Sequence, residues 1–226
     1  MAANKDMFLW WGSGSPPCWK PMLVLAEKEM WESLPNKLIS FDKKENKEAD
    51  ILAANPRGQV PTFKDGSLVV NESNAICMYL EEKYSNDSNR LLPVDVEERS
   101  QVYWRMFESG NIQSNITVPI VYSIWNTKPE DRNQAELDEK FTKAKEELGY
   151  WERTLTGRSY LVGDRFTMAD VFFYPFLAFL VRLGATLREF PALKQYYDLI
   201  SQRPTVQATW PPHWKEGSTA PILAAL

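Results

Sequence analysis

Cysteine, histidine and long apolar runs are what this chain has least of. Two cysteines in 226 residues, Cys18 and Cys77, cannot build a disulfide framework. That scarcity points to a reducing compartment, the cytosol. The single histidine, His213, lies in an irregular tail far along the chain from every candidate nucleophile, so a Ser-His-Asp triad is not expected. No run approaches the ~20 apolar residues of a membrane-spanning helix. The apolar part of MAANKDMFLWW is too short for a leader and lacks a cleavage-type segment. A basic excess is missing as well. Lys and Arg number 26 against 30 Asp and Glu, for a net charge of −4 and a pI near 5.3, which argues against a nucleic-acid partner. What is present is apolar material. At 44% hydrophobic and 13% aromatic the chain can bury a core and is not disordered, and its length suits two smallish domains or one large one.

The first third alternates element types. MFLWW (Met7 to Trp11) reads as a buried strand. PCWKPMLVLAEKEM reads as a helix with Cys18, Met22, Leu25 and Ala26 on one face. Pro16 and Pro17 suit its first turn, where a missing N–H costs nothing. KLISFD (Lys37 to Asp42) alternates like a strand, and ILAANPRGQ suggests a short helix stopped at Pro56 and Gly58. VPTFKD and SLVVNE are strands split at Asp65-Gly66, a hairpin signal. SNAICMYLEEKY (Ser73 to Tyr84) is a helix with Ser73 as candidate N-cap. The order is β-α-β-α-β-β-α, with a parallel pair around the first crossover and an antiparallel hairpin in the same sheet.

SNDSNR (Ser85 to Arg90) is polar and turn-rich, a linker. Everything beyond reads helical: Glu97 to about Trp125 with a bend at Pro119, an amphipathic Glu130 to Leu155, a nearly all-apolar Thr167 to Leu183 suited to a core helix, and a last helix stopped at Pro204. The expectation is an α/β domain over 1–84, a linker over 85–91 and an all-α domain over 92–226.

Four stretches could carry chemistry. In NPRGQVP (Asn55 to Pro61) a proline opens a strand, and a cis Val60–Pro61 bond would leave the Val60 backbone free to pair with a bound peptide; a plain edge turn is the alternative. In NESNA (Asn71 to Ala75) a helix start can bind a carboxylate or phosphate. An acid beside it, Glu72, suggests a ligand carrying both charges, and an ordinary N-cap is the alternative. GSGSPPCW (Gly12 to Trp19) is a Gly- and Ser-rich cradle between strand and helix. Cys18 near a helix start could be a reactive thiolate or a buried, inert side chain. TMADV (Thr167 to Val171) has a capping-box pattern with Asp170 in place of Glu, read as structural.

In this order and spacing the stretches resemble the cytosolic glutathione S-transferases over essentially the whole chain. The resemblance implies a thioredoxin-like N-terminal domain (βαβαββα) plus a helical C-terminal domain that contributes the electrophile site. It also implies glutathione as co-substrate, no metal, hydrophobic electrophiles as partners, a cytoplasmic homodimer, detoxification by conjugation and a glutathione peroxidase side activity. No tyrosine occurs in the first 70 residues, and GSPPCW resembles the serine-using classes. WGSGSPPCWKPM, SFDKKE and WPPHW are most similar to the rho class of fishes and other aquatic animals. Carried over by position, Ser15 would hydrogen-bond the glutathione sulfur, with Ser13 as its rival. Val60 would pair with the cysteinyl backbone, Glu72 would hold the γ-glutamyl ammonium and Ser73 its carboxylate. Gln59 and Lys44 would reach the glycyl carboxylate. Trp11, Ile116 and Trp214 are the expectations for the electrophile side. A redox enzyme working through Cys18 and a non-catalytic binding relative are the competing readings.

Overall fold

The computed structural model describes residues 6–217 and 219–226. Residues 1–5, part of the N-terminal stretch weighed as a leader, lie outside these, as does Ser218. The described chain divides into two compact units. One comprises residues 1–91 with 204–216; the other comprises 92–203 with 217–226.

The first unit is a four-stranded sheet in the order β2-β1-β3-β4. β1 (Met7–Trp11) pairs in parallel with β2 (Asn36–Leu38) and antiparallel with β3 (Thr62–Asp65), and β3 pairs antiparallel with β4 (Leu68–Asn71). Alternation along β1 sends Phe8 and Trp10 to one face, where Trp10 clusters with Ile39 and Ile51 of the short helix α2 (Ala49–Ala54). On α1 (Pro16–Glu27) the side chains from Cys18 to Leu25 are buried, and α1 packs along α3 (Ser73–Tyr84). Lys28 joins α1 to α3 through a buried ion pair with Glu81 at 2.8 Å. The other Glu81 oxygen takes the Leu91 amide at 2.8 Å, which fastens the end of the 85–91 stretch to this unit.

Boundaries shift where side chains intercept the backbone. The strand expected over 37–42 ends at Leu38, because the Glu45 carboxylate takes the Ser40 amide at 2.7 Å and turns the chain. In the hairpin, Asp65 faces Leu68 in register, so the two turn residues are Gly66 (φ 62) and Ser67. Asp65 itself is part of the strand and accepts from Tyr79 and Lys83, each at 2.7 Å, and from Tyr84. The N-cap position of α3 belongs to Glu72, and Ser73 is the first helical residue.

In the second unit α4 (Val96–Glu108) runs into α5 (Gly110–Ile112), then a π-helical stretch over Gln113–Tyr122, then α6 (Ser123–Asn126). Pro119 lies in the widened turns, where a missing N–H and a bulky ring are accommodated without breaking the rod. α7 (Gln134–Leu155) starts four residues later than its amphipathic pattern, at the side-chain cap of Asn133 on the Glu136 amide. α8 (Met168–Arg182) is buried throughout from Met168 to Leu180 and forms the centre of the unit, with Phe173 against Trp151 at 4.2 Å. Its capping box is present. Asp170 takes the Thr167 and Leu161 amides at 2.8 and 3.1 Å and the Tyr196 hydroxyl at 3.1 Å. α9 (Pro191–Ser201) completes this unit.

The segment 204–216, which the sequence pattern places with the helical domain, belongs to the first unit. It carries α10 (Pro204–Ala208) and a helical turn at Pro212–Trp214. An aromatic anchor accounts for the placement. Trp19 meets Trp210 and Trp214 edge-on at 5.4 and 5.5 Å and donates its indole N–H to Thr209 at 2.8 Å. Among the described residues no helix is long and apolar enough to cross a membrane.

Candidate functional site

Three loops at the strand ends of the first unit carry the singled-out residues. The first, Gly12 to Ser15, leads into α1. Ser15 occupies the N-cap position of α1 with extended backbone (φ −83, ψ 113) and caps no helical amide. Its hydroxyl is one of two groups that favour the Cys18 thiolate; the other, the Gly12 amide, donates to the sulfur at 3.3 Å. Cys18 is fully buried, and burial pushes its thiol up to about 11 against those two groups. The same effect takes Cys77 up to about 12. Burial favours the protonated form of both thiols, which counts against the Cys18 redox reading.

The second loop, Asn55 to Pro61, contains a cis Val60–Pro61 bond. Buried Asn55 organises it, accepting the Arg57 amide at 3.1 Å and donating to the Gln59 carbonyl at 2.9 Å. Among the described residues the Val60 N–H and C=O make no hydrogen bond. Val60 lies close to the first loop: a methyl on Gly12 would stand 2.9 Å from Phe41 Cε2 and 3.6 Å from Val60 Cγ2. Lys44 sits in a left-handed turn (φ 56) whose neighbour Asn46 donates to the Gly58 carbonyl at 2.9 Å. The Lys44 turn and the Gln59 loop are therefore fastened together, with both side chains exposed.

The third loop is the β4–α3 junction. Glu72 is exposed and held at φ 71, ψ 117, a left-handed value unusual for a residue with a side chain. The conformation turns the chain sharply into α3. The first helical bond is from the Ile76 amide to Glu72 at 3.0 Å, and the Ser73, Asn74 and Ala75 amides have no acceptor among the described residues. A carboxylate side chain thus stands beside a bare helix N-terminus, the pairing a zwitterionic ligand needs. Below it, buried Lys20 of α1 donates to Asn74 Oδ1 at 3.1 Å, and burial lowers its ammonium to about 8.

Two family matches divide the chain in the same order. The glutathione S-transferase N-terminal domain matches residues 13–88 and the glutathione S-transferase C-terminal domain residues 115–204. Glutathione S-transferase A of Pleuronectes platessa is 42% identical over 214 residues, 94% of either chain. The chain belongs to the glutathione S-transferase family. The crystal structure of a glutathione S-transferase from the Antarctic clam Laternula elliptica agrees in fold and sequence, with a TM-score of 0.89 and 48% identity over 97% of this chain and 99% of that one. Glutathione S-transferase GstB of Escherichia coli is more distant, 30% identical over 88% of this chain and 95% of its own length. The protein is therefore a glutathione transferase with the thioredoxin-like fold of that family and a helical C-terminal domain.

Within this transferase the residues expected on the electrophile side are interior ones. Trp11 is buried, donates its indole N–H to Asn36 at 2.9 Å and meets Trp31 edge-on at 5.8 Å. Ile116 is fully buried in the helical unit, and Trp214 is part of the tail's aromatic anchor. One residue was discounted by sequence distance and proves local. His213 Nδ1 lies 2.6 Å from Ser13 Oγ, inside the first unit and on the first loop. Its signal in the sequence was weak: WPPHW is rich in the aromatic and proline residues of a docked tail, but nothing in it names a docking partner. Asn55 had a better one, since Asn before Pro favours a turn.

Proposed function

We propose that this transferase binds glutathione across the three loops and that Ser15 stabilises its thiolate. The observation that carries the reading is the position of the Ser15 hydroxyl: it stands at a helix start, is not spent on capping, and acts to favour the thiolate of the neighbouring Cys18. On glutathione binding it donates to the ligand's sulfur. A free thiol ionises near ~8.5, so a two-unit reduction takes about 2.7 kcal/mol. One hydrogen bond to a charged acceptor contributes about 1.5–3 kcal/mol, and the α1 N-terminus adds to it. No protein nucleophile is required, because the attacking atom is the ligand's.

The other contacts follow from charge. Glutathione has one ammonium and two carboxylates. Glu72 takes the ammonium, and Ser73 with the bare amides of the first α3 turn takes the γ-glutamyl carboxylate. The unpaired Val60 backbone pairs with the cysteinyl amide and carbonyl, and Gln59 and Lys44 reach the glycyl carboxylate. The acceptor is a hydrophobic electrophile. The first unit, residues 1–91 with 204–216, then holds glutathione, and the second, 92–203 with 217–226, contributes to the electrophile side. The serine-type, rho-class assignment, the cytoplasmic homodimer, the detoxification role and a peroxidase side activity belong to the same reading.

Ultraviolet absorbance of bound thiolate tests it. Wild type should show thiolate with glutathione at neutral pH, and Ser15→Ala should lose most of it together with conjugation of aryl halides. Full activity in Ser15→Ala alongside an inactive Ser13→Ala would transfer the role to Ser13.

A further inference from the structure

The tail brings an imidazole to the loop that carries the sulfur-binding serine. Ser13 Oγ and His213 Nδ1 are 2.6 Å apart. The next residue, Gly14, has φ +72, and a methyl there would fall 2.6 Å from His213 Cε1 and 2.8 Å from Trp214 Nε1. The tail ring systems therefore lie directly against the loop backbone. They are not free to drift, because Trp214 packs edge-on against both Trp19 of α1 and Trp210, at 5.5 and 5.9 Å. Ser13 is thus held from the tail side through His213, while Gly12 is held from the helix side through Cys18. Only Gly14 separates the two serines.

We propose that His213 is a positioning residue for glutathione activation. With Nδ1 as acceptor, His213 takes a hydrogen bond from the Ser13 hydroxyl, clamps the Gly12 to Ser15 loop, and so fixes the direction from which Ser15 meets the sulfur. The arrangement also commits the Ser13 proton to the imidazole, which leaves Ser15 as the loop hydroxyl able to donate to a thiolate. The inference rests on the Ser15 reading for its effect on the sulfur; the clamp itself rests on the Ser13–His213 contact.

The test uses full-length His213→Ala, His213→Asn, Ser13→Ala and the Ser13→Ala/His213→Ala double variant. Bound-thiolate absorbance across pH, kcat, KM for glutathione and the unfolding midpoint are measured for each. His213→Ala should leave the unfolding midpoint and the glutathione KM near wild type. It should raise the pH at which bound glutathione ionises and lower kcat about three- to tenfold, the span of one lost hydrogen bond. Asn, whose side-chain oxygen can replace Nδ1 as acceptor, should restore most of the loss. The double variant should be no worse than either single one, as expected for two partners in one contact. Wild-type ionisation and kcat in His213→Ala would overturn the proposal. Losses that multiply in the double variant would overturn it too. So would equal losses in the Ala and Asn variants, which would mark the imidazole as a proton acceptor instead of a clamp. A Ser15→Ala variant that kept its thiolate would sink the Ser15 reading separately, whatever His213 does.

Discussion

Gly14→Ala probes the docking of the tail on the loop with a single methyl. Two penalties combine. Gly14 has φ +72, and a left-handed backbone costs an L-residue about 1–2 kcal/mol. The new methyl would also meet His213 Cε1 at 2.6 Å, Trp214 Nε1 at 2.8 Å and His213 Nε2 at 3.1 Å. Trp214 is only 8% exposed and wedged between Trp19 and Trp210, so it cannot give way. The exposed imidazole can swing aside only by releasing Ser13. Overpacking of this kind adds about 1–3 kcal/mol, for a total of roughly 2–5 kcal/mol. The comparison variant is Gly66→Ala in the same unit, where φ is +62 and nothing lies within 4 Å. It meets only the backbone penalty, and the difference between the two variants isolates the close approach. Urea unfolding midpoints and glutathione turnover of both should show Gly14→Ala less stable by about 1–3 kcal/mol and slower, with Gly66→Ala active as wild type. Equal midpoints with full turnover in Gly14→Ala would refute the packing of the tail rings on the loop.

Three further outcomes are expected. Neither cysteine should react with a soluble alkylating reagent in the native protein at neutral pH, since burial drives Cys18 up to about 11 and Cys77 up to about 12; labelling of both only after denaturation, read by mass spectrometry, checks this. Lys20 is lowered to about 8 by burial. The unfolded chain therefore keeps a proton that the fold has released between about pH 8 and 10.5. Stability from this group rises with pH across that window by about 3 kcal/mol, and Lys20→Met should flatten the rise in pH-dependent denaturation curves. Asp170→Ala orphans the Thr167 and Leu161 amides and the Tyr196 hydroxyl and should cost about 3–5 kcal/mol. Burial holds this carboxyl up near 6, so its own contribution is full in acid and is lost as pH rises through 6. The Ala deficit should therefore be larger near pH 5 than at pH 7, and equal deficits at the two pH values would contradict the assignment.

Local pattern sufficed for much of the protein. The short all-apolar run at Met7–Trp11, the all-round apolar α8, the Thr167–Asp170 cap and the Ser73–Tyr84 helix each depend on neighbours within a few residues, so local pattern alone reveals them. The turns at 12–15, 55–61 and 71–75 were legible for the same reason, since each combines turn chemistry with the end of a regular element. Strand ends were less so, because a side chain such as Glu45 ends β2 from outside it. The tail was not legible at all. Its place depends on Trp19 receiving Trp210 and Trp214, and Ser13 meets His213 across 200 positions of sequence. Periodicity carries no information over that distance. Only burial of those rings against α1 decides that the chain's one histidine sits on its first loop, 2.6 Å from a serine.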